Sequence, residues 1–221
     1  MGQAVRALAA ERGIEVVATL DRAAMEDESG ATSQLLAEVD VAVEFSTPSA
    51  AVANIAVCLE AGCPIVVGTT GWYDQLEAVE AAVAEKGGAL LWAPNFSVGV
   101  AMLTKLVASA GELAAGLEQF DVHMTETHHT AKRDAPSGTA LALERAMSPG
   151  LGRPIPITSV RTGHVPGTHE VTLDGPFERI TLAHEAHDRR VFADGALIAA
   201  AWLPGKSGVF TMQDVLDVEL P

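Results

Sequence analysis

Cysteine is nearly missing from the 221-residue sequence: Cys58 and Cys63 are the only two, too few for a disulfide framework. One falls in a helical pattern and the other at the start of a strand pattern, so both read as reduced thiols, as expected of a cytoplasmic protein. Basic residues are also scarce, 14 Lys and Arg against 29 Asp and Glu, and the formal charge of −15 repels a phosphate backbone or an anionic membrane surface. No nucleic-acid partner is expected. Runs of 18 or more apolar residues are absent, which excludes a membrane-spanning helix, and the opening MGQAVRALAAERG is amphipathic and charged where an export signal would be apolar. Internal repeats are lacking, and so are paired cysteines or an HxxxH spacing that would gather His123, His128, His129, His169, His184 and His187 around a metal. No metal is expected.

What is present is a chain 48% hydrophobic, ample for a buried core. Its first 98 residues alternate helix and strand patterns. Val5, Leu8 and Ala9 give a helix closed by Gly13, and the β-branched run Ile14 to Leu20 gives a strand ending at Asp21 and Arg22. Further strands follow at Val41 to Phe45, Pro64 to Val67 and Ala89 to Trp92. Between them lie a helix with Thr47 as N-cap and Pro48 at its first position, and a helix carrying Leu76, Val79 and Val83. This alternation predicts βαβ crossovers and a parallel sheet covered on both faces. After a long helix over about 98 to 116 the pattern changes. Phe120, Val122 and Met124 alternate with polar residues, and three more half-buried strands are expected near 157–161, 169–173 and 178–184, before helices near 188–201 and 211–216. The fold expected is α/β: a Rossmann-like parallel sheet over 1–98 and 209–221, and an α+β region for substrate binding and oligomerisation over 99–208.

A doubly wound sheet begins with a strand and a glycine-rich turn over the cofactor pyrophosphate. Here a helix comes first. The strand ends nevertheless carry ligand chemistry: Asp21 stands where an acidic residue takes a ribose diol, Arg22 where a 2′-phosphate is met, and Gly68-Thr69-Thr70-Gly71 and Ala93-Pro94-Asn95-Phe96 each end a parallel strand. In the second region, ETHHTAKRDAPSGTA gathers His128, His129 and Lys132 at a strand end, ahead of Ser137 as N-cap of a helix from Gly138 to Met147. Two imidazoles and a cation suit proton transfer onto a negatively charged substrate, and the Gly138 and Thr139 amides at a helix N-terminus suit a carboxylate. A solvated basic loop and a simple strand-ending turn are the plain alternatives. The position of three such segments at strand ends favours a nicotinamide-dependent enzyme acting on a small carboxylate.

Val43-Glu44-Phe45-Ser46 with Pro48, GTTG, APNFSVGV, the block E-x-H-H-x-x-x-K-x-D-A-P-S-G-T-A, the run from Arg161 to Glu170, His184 to Arg189, FADGAL and M-x-D-V-L together resemble the dihydrodipicolinate reductase family over nearly the whole chain. The resemblance implies a homotetrameric reductase using NADH or NADPH on a small cyclic dicarboxylate. By motif, His128 is the acid/base residue and Lys132 a proton donor. His129, Gly138 and Thr139 hold substrate carboxylates; Gly68, Thr69, Thr70 and Ala93 to Phe96 contact the nicotinamide half of the cofactor, and Asp21 and Arg22 the adenosine ribose. The family's first strand and G-x-x-G-[RK]-M-G turn have no counterpart beyond Met1-Gly2. On that ground weak cofactor binding is expected, with a non-catalytic dicarboxylate-binding remnant as the alternative to a reductase.

Overall fold

The computed structural model describes residues 1–25 and 29–217, which divide into two compact units: 1–96 together with the segment from Phe192 onward, and Ser97–Val191. Residues 218–221 of the expected first region lie outside the described residues.

In the first unit, α1 (Gly2–Glu11), α2 (Arg22–Met25) and α3 (Ala31–Ala37) precede β1 (Ala42–Glu44), α4 (Pro48–Glu60), β2 (Ile65–Val67), α5 (Leu76–Lys86) and β3 (Ala89–Trp92). The sequence pattern had not marked α2 or α3. The strands stand side by side and parallel, β1 to β2 to β3, with register Glu44 to Val67 to Trp92. All three residues of β2 are buried and so are Leu90 and Leu91, as continuous apolar strands covered on both faces should be. One face packs Ala51, Ile55 and Cys58 of α4 and Val79 and Val83 of α5 on Ile65, Val67 and Leu90. The other carries Val5 and Ala9 of α1.

The expected strand Ile14 to Leu20 is not a strand. It runs without ladder pairing, with Ile14 39%, Val16 42% and Val17 58% exposed, and the Ile14 amide donates back to Ala9 O at 2.9 Å. A parallel strand exists only through hydrogen bonds to a neighbour, and among the described residues β1 pairs with β2 alone. β-branched composition cannot substitute for that partner.

The second unit opens with α6 (Val98–Ala114), capped by the Ser97 hydroxyl accepting from the Val100 amide at 3.2 Å. Then come β4 (Asp121–His128), α7 (Gly138–Leu151), β5 (Ile157–Arg161), β6 (Thr168–Asp174) and β7 (Arg179–Glu185). They form a mixed sheet in the order β5-β4-β6-β7, in which β4 is parallel to β5 and antiparallel to β6. Val122, Met124, Val171 and Leu173 point from one face into a core with Leu103 and Val107 of α6 and Leu143 and Met147 of α7. The other face of β4 exposes Asp121 and His123. Helix α7 continues through Pro149 to Leu151, beyond the expected end at Met147. It lies so close to α6 that a Cβ on Gly150 would come within 2.7 Å of the Glu112 amide nitrogen, and one on Gly111 within 2.4 Å of Met147 O.

The chain returns to the first unit within α8 (Arg190–Trp202), earlier than position 209, because Ala193 and Leu197 pack with Val5 and Ala9. Two short elements end it: β8 (Gly208–Phe210), which had not been expected and adds to β3 in parallel, and α9 (Met212–Leu216), closed by a Thr211/Asp214 capping box.

Candidate functional site

In the first unit the ends of β1, β2 and β3 lie side by side, which brings the Phe45-Ser46, Gly68–Gly71 and Ala93–Phe96 segments to one edge of the sheet. In an open parallel sheet that is the ligand-binding edge. Phe45 and Phe96 meet edge to face, ring centroids 5.9 Å apart. Gly68 is required beneath them, since a Cβ there would lie 2.0 Å from the Phe45 ring. Thr69 is buried, its hydroxyl accepting from the Ser46 amide at 2.7 Å, while Thr70 and Pro94 are exposed and Asn95 is half-buried. Ala93 is buried with its amide on Val67 O at 3.2 Å. Fully buried Trp72 pins the turn by donating its indole N–H to Thr69 O at 2.8 Å. Asp21 and Arg22 are exposed and end no strand: Asp21 caps α2, accepting from the Ala24 amide at 3.0 Å.

Sequence reasoning gave no role to Glu44. Its carboxylate is buried at the end of β1, accepts from Ser46 Oγ and from Asn54 Nδ2 at 3.3 Å, and leaves Oε2 without a hydrogen-bond partner.

In the second unit the imidazole of His128, the last residue of β4, is buried and bonded through Nδ1 to Glu126 Oε2. Glu126 is fully buried and gripped by Arg161, whose Nη1 donates to Oε2 at 3.0 Å and Nη2 to Oε1 at 2.6 Å, while the Ser137 amide reaches Oε1 at 3.3 Å. Burial pushes the Glu126 carboxyl up, but the hydrogen bonds from Arg161, Ser159 and His128 outweigh it and hold the group at about 2. Burial lowers His128, and the Glu126 carboxylate opposes that only in part, so the imidazole is neutral near pH 7. His169 of β6 packs edge-on against His128 at 5.2 Å, bonds to Ser137 Oγ at 3.1 Å, and is driven by burial to about 4.

Lys132 is part-buried and held by both oxygens of Asp134 at 2.9 Å. His129 is half-buried, its amide on Val165 O at 2.8 Å. The Ser137 hydroxyl accepts from the Ala140 amide at 3.1 Å, so the expected N-cap is in place, with Gly138 exposed and Thr139 half-buried at the start of α7. Glu126, His128 and His169 are close enough to share a metal, but the oxygens of Glu126 are already occupied by Arg161.

Glu126 was legible in principle, because two residues apart on a strand means one face. Arg161 was not: the β4/β5 register places it opposite His128 from 33 positions away.

A parallel-sheet unit with ligand loops at its strand ends, joined to a mixed-sheet unit holding a buried acid–base cluster, defines a nucleotide-dependent oxidoreductase architecture. The chain belongs to the dihydrodipicolinate reductase family: residues 1–96 match the model of its N-terminus and 99–216 that of its C-terminus. It is 36% identical to the 4-hydroxy-tetrahydrodipicolinate reductase of Christiangramia forsetii, covering 98% of this chain and 93% of that one. With the enzyme of the same name from Gluconobacter oxydans it shares 40% identity over 94% of this chain and 90% of that one. A dipicolinate-bound dihydrodipicolinate reductase from Paenisporosarcina sp. TG-14 has the same fold, with a TM-score of 0.78 at 23% identity, covering 95% of this chain and 92% of that one.

Proposed function

We propose that this chain catalyses the NAD(P)H-dependent reduction of 4-hydroxy-tetrahydrodipicolinate to tetrahydrodipicolinate, a step of diaminopimelate and lysine biosynthesis. The observation that carries the reading is the cluster at the end of β4, where a buried imidazole on an ionised carboxylate stands at the head of a loop that carries Lys132 and leads to the N-terminus of α7. When bound, the reduced nicotinamide supplies the hydride. His128 acts as the acid/base residue and Lys132 as a proton donor, since a proton must reach the ring as the hydride does. A dianionic substrate competes with Asp134 for the Lys132 ammonium. His129 and the Gly138 and Thr139 amides hold the substrate carboxylates, with the dipole of the 14-residue α7 adding to the attraction.

In the first unit Gly68, Thr69, Thr70 and Ala93 to Phe96 hold the nicotinamide half of the cofactor. Asp21 and Arg22 hold the adenosine ribose, an arrangement that accepts NADH or NADPH. The exposed face of the second unit's sheet, with Asp121 and His123 outward, is where copies associate into a homotetramer.

The test is a coupled assay with dihydrodipicolinate synthase, pyruvate and aspartate semialdehyde, reading loss of NADH or NADPH absorbance. Turnover is expected, and His128→Ala lowers it by roughly 10²-fold or more. Absorbance loss that is the same with and without the His128 imidazole would overturn the reading.

A further inference from the structure

We infer that Glu126, clamped by Arg161, is a positioning residue that holds His128 in the Nδ1–H tautomer and so presents Nε2 as the atom that exchanges a proton with substrate. This rests on the reading of His128 as the acid/base residue.

Every other group facing the Glu126 carboxylate is a donor. Two guanidinium N–H groups, the Ser137 amide and the Ser159 hydroxyl point at it, and an ionised carboxylate can only accept. The His128 Nδ1 that contacts Oε2 must therefore carry the hydrogen. Nε2 is left with its lone pair, and the space before it is kept open by Gly167, where a Cβ would come within 3.0 Å of Nε2.

Arg161 makes the arrangement sustainable. A fully buried carboxylate survives only when paired, and the guanidinium fork meets both of its oxygens. The same Nη2 donates to Asp134 O at 2.6 Å, which fastens the loop that bears Lys132 to the clamp. The charged and titratable groups facing His128 are Glu126 on β4, Arg161 on β5, His169 on β6 and Lys132 in the loop. Glu126 is the one that favours the imidazolium; burial, Lys132 and Arg161 oppose it.

The test is Glu126→Gln, read by ¹⁵N NMR of the histidine side chains and by the pH profile of the coupled assay. The amide places an N–H₂ group among donors, so the expected result is loss of the single Nδ1–H state seen in the wild type. With it, kcat should fall roughly 10- to 100-fold at little changed KM, and the acid limb of kcat/KM should move to lower pH. Arg161→Lys, which keeps the charge but loses the fork, should likewise cost the single Nδ1–H state and serves if the glutamine variant does not fold. A wild-type His128 protonated at Nε2, or an unchanged tautomer and pH limb in whichever of these variants fold, would overturn the inference. Full turnover in His128→Ala, with His128 of the wild type found in the Nδ1–H state, would instead remove the acid/base reading, and the two failures are thus told apart.

Discussion

Gly195 sits inside α8, where helix propensity argues for replacement: alanine is favoured over glycine there by about 1 kcal/mol. The packing argues the opposite. A Cβ on Gly195 would lie 1.6 Å from the carbonyl oxygen of Phe96 and 2.8 Å from its carbonyl carbon. Both are backbone atoms of the Ala93–Phe96 segment, so no rotamer change relieves the clash, and the segment or the helix must move by more than an ångström. Overpacking against movable side chains costs roughly 1–3 kcal/mol, and a backbone obstacle belongs at or above the top of that range. After the propensity gain, Gly195→Ala should lose about 2 kcal/mol or more. At roughly 2–4 °C per kcal/mol for a chain of this size, the thermal midpoint falls about 4–8 °C. Displacing Phe96 also opens its contact with Phe45, so the KM for the nicotinamide cofactor should rise more than that for substrate. The assay is a thermal melt paired with cofactor titration of the coupled reaction. Gly2→Ala is the control, at a helical glycine with nothing within 4 Å of the added carbon. A Gly195→Ala protein melting at or above the wild type, with unchanged cofactor KM, would refute the reasoning.

Met124→Ala removes a fully buried side chain between the second sheet and its two helices, and urea titration should show a loss of about 2–5 kcal/mol. His169 is buried neutral with its titration lowered from 6.5 to about 4, so the folded state binds fewer protons than the unfolded one between those values. Its stability contribution is full above pH 6.5 and is lost as pH falls toward 4, on the order of 3 kcal/mol; His169→Gln should flatten denaturant midpoints across that window. Ser137→Ala removes the cap of α7 and the partner of His169, and should lower stability by about 1–2 kcal/mol in chemical denaturation while raising substrate KM.

Much of the site could be read along the chain because its parts are local. His128, His129, Lys132, Ser137, Gly138 and Thr139 lie within one strand end, one loop and one helix start, and strand-end turns such as Gly68–Gly71 announce themselves by glycine and threonine. The residues that set the state of His128 were harder. Glu126 shares its strand face, but nothing in the spacing marks it as fully buried, and Arg161 meets it only through β5 pairing with β4. Trp72 and Glu44 were given no role for a similar reason, since neighbours in space rather than in sequence make them anchors of this sheet edge.

Composition and periodicity settle what depends on short range: the order of helices and strands over 98–185, three of the parallel strands before it, the absence of an 18-residue apolar span, and a basic strand-end cluster in an acidic chain. Tertiary structure decides what depends on partners. Ile14 to Leu20 has strand composition yet forms none, because a ladder needs a second chain segment to bond to. Gly195 has poor helix propensity yet belongs where it is, because the Phe96 carbonyl leaves no space for a methyl group. The Glu126 carboxylate is ionised in the interior for the same kind of reason: five bonds of context, a guanidinium fork among them, arrive from strands and loops that only folding brings together.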